Sequence, residues 1–249
     1  MRHSRALLTT LCLAMPAMTT AQPAVYQDPV NLQVLPGDTS PEQLLETMRS
    51  FALDTGLRCS HCHVGEEGQP LTSFDFASDE RPLKQTARTM MRMVEAINGQ
   101  HLARLGESRV EVRCVTCHRG LRTPRLTAEM LAAAADEGGV DGMLKSYRSL
   151  RERYYGSHSL DFTDNTLVDF ARARAAAGHA DQAEAMFRVL LEQSAGSFVV
   201  HWRYGEHLQG AGDVAGAVAQ YRAAIQANPA SGGFLEARIE ALEAAESEP

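Results

Sequence analysis

The chain has 249 residues, 24 basic against 31 acidic, and a formal net charge of −7. That length fits one or two domains, and the acidic balance argues against nucleic acid as a partner. Five cysteines are few enough for each to be read individually.

Residues 1–21 have the pattern of an export signal: Arg2 and Arg5, a mostly apolar run from Ala6 to Met18, then small residues Thr19-Thr20-Ala21. The run is too short for a stable bilayer span. Cys12 lies inside it behind Leu11, where a lipoprotein signal would want a small residue, so lipid anchoring is not expected. Removing the signal leaves 22 basic and 31 acidic residues and exactly the cysteines of two motifs, with none for a structural disulfide. Localisation is therefore expected to be periplasmic, either free or peripheral to the inner membrane.

A polar lead-in with Pro23, Pro29, Pro36 and Gly37 contains one short extended candidate, residues 31–35. Ser40, Pro41 and Gln43 then form a helix-start pattern: an N-cap, a first-position proline and a capping-box partner. The helix is expected to run to about Asp54 and end at Gly56, with Leu44, Leu45, Met48 and Ala52 on one face. Cys59-Ser60-His61-Cys62-His63 follows. A loop rich in glycine (residues 64–78) leads to a second helix, predicted from Pro82 to Ile97 and stopped at Asn98-Gly99. Thr86, Met90, Met93 and Ile97 share one of its faces, and Cys114-Val115-Thr116-Cys117-His118 closes the second copy of the unit.

Each pentapeptide reads as a c-type haem attachment site. Cys59 and Cys62, and again Cys114 and Cys117, are spaced to form thioethers to one haem; His63 and His118 are placed to ligate iron. Two covalently attached haems are expected. A four-thiolate zinc site or a pair of redox dithiols would leave both histidines unexplained. A helical methionine is usually core packing, so on the residues alone Met48 is either packing or a sixth ligand. Met93, Met90 and His101 are the candidates for the second iron. Arg58, Lys84, Arg88, Arg113 and Arg119 are near enough in sequence to pair with propionates, or are ordinary solvated charges.

Beyond Pro124 the composition turns to alanine. Helices are expected at 127–136 and 140–155, separated by Gly138-Gly139. Gly178, Ala183 and Phe187 recur as Gly212, Ala217 and Tyr221, each 34 residues on, which is the tetratricopeptide period. Helices are predicted at 164–177, 180–193, 198–211 and 213–227, with a capping helix from Phe234 to Ala245. Such solenoids present extended docking surfaces for proteins. Trp202 and Tyr204 are read as packing residues. The expected fold class is mainly α: a multihaem c-type cytochrome domain, helix then haem motif twice, followed by an α-helical tetratricopeptide-like solenoid. The expected boundaries are 1–21 for the signal peptide, 22–124 for the cytochrome domain and 125–249 for the helical domain.

Between residues 31 and about 120 the chain resembles the cytochrome subunit of bacterial photosynthetic reaction centres. The matching stretches are Asn31-Leu32-Gln33-Val34-Leu35, the Met48 helix, Phe76-Ala77-Ser78-Asp79-Glu80, Arg92-Met93-Val94 with Ile97-Asn98, and Val115-Thr116-Cys117-His118-Arg119-Gly120. In that family each haem lies along the helix preceding its motif, and the helix usually supplies a methionine ligand. The resemblance thus implies Met48 with His63 on one iron, and Met93 with His118 on the other. It departs from the family in having one motif pair where four haems in two paired halves are usual. The implied function is an electron carrier rather than an enzyme, working between redox partners that include a reaction centre or another membrane complex. Two rivals are a two-haem peroxidase, which needs an open iron, and an assembly scaffold in which the repeats are the function.

Overall fold

The computed structural model describes residues 29–106 and 109–247. The expected signal segment and Cys12 lie outside the described residues. The described chain is mainly helical. Its one β feature is an isolated antiparallel bridge between Val64 and Asp75.

Helix α1 spans Pro41–Thr55. Its start is the reciprocal capping box expected from sequence: Gln43 N–H donates to Ser40 Oγ at 3.3 Å and Ser40 N–H to Gln43 Oε1 at 3.0 Å. Its end is set by Gly56 at φ +68°, a conformation glycine adopts without penalty. The one-turn helix α2 is Cys59–Cys62, and α3 spans Pro82–Ala96. Beyond Ala96 the helix widens into a π turn, Ile97–His101, where the sequence predicted a simple stop. The second one-turn helix, α4, is Cys114–His118. Residues 31–35 are not a strand. Asn31 has φ +60° and residues 33–35 bend, because the Asn31 and Gln33 side chains are drawn onto Asp79.

Helix α5, Thr127–Tyr154, is continuous in outline but non-helical at Gly138 and Gly139, the break read from sequence. Four helices follow: α6 Asp164–Ala176, α7 Ala180–Gln193, α8 Phe198–Gly210 and α9 Val214–Ala227. The last helix, α10, is Gly233–Ser247. Helix α6 pairs with α7, α8 with α9, and α10 packs on α9. The 34-residue recurrence is also structural. Gly178 and Gly212 both have positive φ, and the bond from His179 N–H to Arg174 O recurs as Asp213 N–H to Leu208 O, each at 2.9 Å. Ala183, Phe187, Ala217 and Tyr221 are all fully buried.

The described residues divide into two compact units, 29–49 with 59–92, and 50–58 with 93–247. The second unit holds two apolar clusters. One is built on Leu131, Met143, Tyr147, Leu167, Phe187 and Val200; the other on Ala217, Tyr221, Ala224 and Leu235. Tyr204 stacks on Phe187, and Trp202 packs between Phe198 and Phe234 with the Arg203 guanidinium over its ring, so both aromatics are packing residues. Among the described residues, the buried apolar side chains begin only at Leu121.

Candidate haem site

Both Cys-x-x-Cys-His motifs fold as a single helical turn, which puts the two cysteines of each on one side. His63 N–H closes the first turn onto Cys59 O at 2.9 Å. The second turn is entered through Arg113, whose N–H donates to Thr116 Oγ1 at 3.0 Å. It is left through Arg119 at φ +47° and Gly120 at φ +82°. The four cysteines form no disulfide. Burial, then the nearby Asp54, pushes the Cys114 thiol up. No three His, Cys, Asp or Glu side chains converge as a metal-binding group among the described residues.

The two histidines are held differently. His118 Nδ1 lies 2.9 Å from Leu121 O. A carbonyl only accepts, so Nδ1 is the donor of this bond and Nε2 is the nitrogen left for a metal, the arrangement that orients a metal-ligating histidine. His63 is braced by a ring instead: Phe76 meets it edge-on at 5.0 Å between centroids and 71° between planes, with Phe74 stacked on Phe76. Its Nδ1 is buried with no hydrogen-bond partner among the described residues. Burial first, then the Lys84 charge, holds the imidazole below its ordinary pKa, which favours the neutral form that binds metal.

Met48 is half-buried on the face of α1 that also carries Leu44, Leu45 and Ala52, all half-buried, while Glu42, Glu46 and Arg49 face solvent. Met93 is 45% exposed, and Met90 and Ile97 on the same face of α3 are half-buried. His101, the remaining candidate, is exposed in the π turn. Met48 falls in the same compact unit as the first motif, and Met93 in the same unit as the second, whereas Met90 falls with the first. These donors and faces fit haem c. Each unit offers two thiols on one turn, an imidazole with an orientable nitrogen, a thioether, and apolar helix surface left only partly covered.

The sequence reading missed the ties that hold the second motif. Asn98 Nδ2 donates to Val112 O at 2.8 Å and Asn98 Oδ1 accepts from Val112 N–H at 2.9 Å, which pins the end of the Met93 helix two residues before Cys114. On the other side of the motif, Gly120 N–H donates to Asp54 O at 2.8 Å. A Cβ on Gly56 would lie 2.3 Å from Gly120 O. Ser159 Oγ donates to Arg119 O at 2.6 Å. In the sequence Asn98 reads as a helix stop and as part of the Ile97-Asn98 pattern, and nothing marks Ser159.

Lys84 and Arg88, two of the cations read as candidates for propionates, are both engaged by protein groups. Lys84 Nζ donates to the carbonyls of Phe76, Ala77 and Ser78 at 2.9, 3.0 and 2.8 Å and pairs with Asp79 at 3.1 Å. Arg88 is buried, donating to Asp79 Oδ1 at 2.9 Å and Asn31 O at 3.1 Å. Both cations are consumed in shaping the loop that carries Phe76.

A helical chain with Cys-x-x-Cys-His turns, an oriented histidine behind them and methionine-bearing helices before them is a c-type cytochrome. The family model for the photosynthetic reaction centre cytochrome c subunit matches residues 6–182, and the chain belongs to that family. The match runs well past residue 120, where the sequence resemblance stopped, through α5 and α6 to the first turn of α7. Cytochrome c-554 of Chloroflexus aurantiacus is 33% identical over 94 residues, which is 37% of this chain and 21% of that relative. The chain therefore aligns with about a fifth of the length of this curated relative. No solved structure matches. Membership implies covalently bound haem c. No helix among the described residues is long and apolar enough to cross a membrane.

Proposed function

We propose that this protein is an exported, periplasmic two-haem electron carrier. Cys59 and Cys62 would tether the first haem, with His63 and Met48 as its iron ligands; Cys114 and Cys117 would tether the second, with His118 and Met93. When bound, haem c supplies a one-electron ferric–ferrous couple, and methionine opposite histidine favours the ferrous state. The chain's own work is to hold both ligands, orient each imidazole and keep water from the rings. Its position in a photosynthetic electron-transfer family supports a partner that is a reaction centre or another membrane complex.

The observation that carries the reading is the distribution of apolar cover. Residues 29–120 contain two amphipathic helices, yet among the described residues their one buried side chain is Arg88. A segment of that length stabilised by protein contacts alone would bury apolar groups at roughly 25 cal/mol per Å². Here the half-covered apolar faces are those bearing Met48 and Met90, and each leads to a thiol pair.

The paired helices α6 to α9, repeating at 34 residues with the same turn hydrogen bond, support a tetratricopeptide-like array closed by α10 and used to dock a partner protein.

The test is the optical spectrum of purified, haem-loaded protein in both oxidation states, with haem counted per chain. Two haems with the charge-transfer band of methionine-bound ferric iron are expected. A high-spin ferric component would move the peroxidase reading ahead, and a chain without haem would end the proposal.

A further inference from the structure

Lys84, like the neighbouring Arg88, has its charge turned inward. Its side chain is 11% exposed, and Nζ bonds three consecutive carbonyls, Phe76 to Ser78, besides Asp79. The same loop is tightened from outside by Asp75, whose Oδ1 accepts from Ala77 N–H and Ser78 N–H at 3.0 and 2.9 Å. It is tied to the lead-in by Asn31 Nδ2, which donates to Ala77 O at 2.6 Å and Asp79 Oδ1 at 3.0 Å. Arg88 completes the ring of contacts through Asp79 and Asn31 O. The product of this network is one fixed aromatic ring, Phe76, held T-shaped to the His63 ring.

We propose that Lys84 is a positioning residue for His63: it fixes the Phe76 loop against the imidazole and places a buried positive charge beside it that raises the potential of the first haem. The inference rests on the two-haem reading. Its physics is Coulombic. A cation that is poorly screened by water disfavours the ferric state, which carries one more positive charge than the ferrous. The geometry sets that charge close to the ligand: Lys84 Nζ bonds the carbonyl of Phe76 at 2.9 Å, and the Phe76 ring lies 5.0 Å from the His63 ring between centroids. Asp79 pairs with both cations, at 3.1 Å from Lys84 and 2.9 Å from Arg88, so the two ends of the Lys84–Asp79 pair pull the potential in opposite directions.

The experiment is a redox titration of the full haem-loaded chain, following both haems. The first haem is identified as the one lost when Cys59 and Cys62 are both replaced by serine. Lys84→Gln is expected to lower the midpoint of the first haem and leave the second unchanged. Lys84→Arg, which keeps the charge, should stay near the wild-type value. Asp79→Asn should shift the same midpoint upward. Loss of shape alone would move Lys84→Gln and Asp79→Asn in one direction, since both loosen the same loop, and that result overturns the proposal. Unmoved midpoints overturn it as well. If Lys84→Gln does not accumulate as folded protein, the sign of the Asp79→Asn shift decides. A wild-type chain without two haems, or without the methionine band, defeats the underlying reading before any variant is compared.

Discussion

At the scale of single residues, backbone geometry and buried charge separate functional positions from permissive ones. Gly56 and Gly68 both have positive φ, at +68° and +88°, but only Gly56 has a neighbour in the way: its absent Cβ would sit 2.3 Å from Gly120 O, while Gly68 faces open space. Left-handed backbone costs a non-glycine residue about 1–3 kcal/mol. Gly68→Ala should lose about that much, and Gly56→Ala clearly more, because backbone must also shift. Thermal unfolding of the two variants side by side reads the difference; equal losses would show that the Gly56–Gly120 approach is unimportant. Asp79 gives a pH prediction. The Arg88 guanidinium first, then Lys84 and Asn31, hold its carboxyl well below the usual carboxylate range. Its contribution is therefore complete above the unfolded pKa of about 4 and is lost as pH falls through the folded value. Asp79→Asn should flatten the acid limb of stability below about pH 4, measured as the thermal midpoint against pH; an unchanged slope would assign that limb to other carboxylates. Little of this was legible beforehand. The cysteines and histidines announce themselves by spacing, but a lysine that bonds three carbonyls reads like any surface lysine until the loop is closed around it.

At the scale of elements, the helices were the most legible feature and their joints the least. Ser40 and Gln43 are an explicit start signal, Gly56 an explicit stop, and the alanine-rich helices from 164 to 227 begin and end within a residue or so of the pattern. Local chemistry decides these boundaries, so sequence carries them. The π turn at Ile97–His101 is different. It exists where Asn98 leaves its helix to bond both backbone groups of Val112, a residue 14 positions away. Widened turns of this kind often stand at functional sites, and this one fixes the distance along the chain between the Met93 helix and the Cys114 turn. Asn98→Ala strands a donor and an acceptor on Val112, at about 1–3 kcal/mol for unsatisfied groups. Asn98→Asp keeps the acceptor and loses the donor, so it should fall between wild type and alanine. Chemical denaturation measures both, and haem content at the second motif should fall in the same order. A variant as stable as wild type would mean that the turn is held by the helix itself.

At the scale of the whole molecule, composition and contacts draw different lines. The shift to alanine near Pro124 marks where the chain begins to bury an apolar core, and Leu121 is the first residue to do so among those described. Contacts group residues 50–58 and 93–247, so the second motif belongs with the C-terminal helices. Two bonds show why. Ser159 Oγ holds Arg119 O at 2.6 Å, and Gly120 N–H holds Asp54 O at 2.8 Å; one crosses 40 residues and the other 66, and neither has a compositional signature. Ending the chain at Pro124 removes Ser159 and all of both apolar clusters while leaving the Lys84–Asp79–Arg88 network complete. The truncated chain should therefore keep the first haem and its methionine band, and lose stable attachment or normal ligation at the second. The complementary fragment, residues 125–249, contains both clusters and should unfold cooperatively without haem. Haem counted per chain on the first piece and a circular dichroism melt on the second check both halves. If the truncated chain holds two haems with unaltered potentials, the C-terminal helices are a docking appendage, and the second site is complete without them. If the second haem alone fails, the helical array supports the cytochrome it follows, and a partner bound there sits on the same compact unit as the second iron.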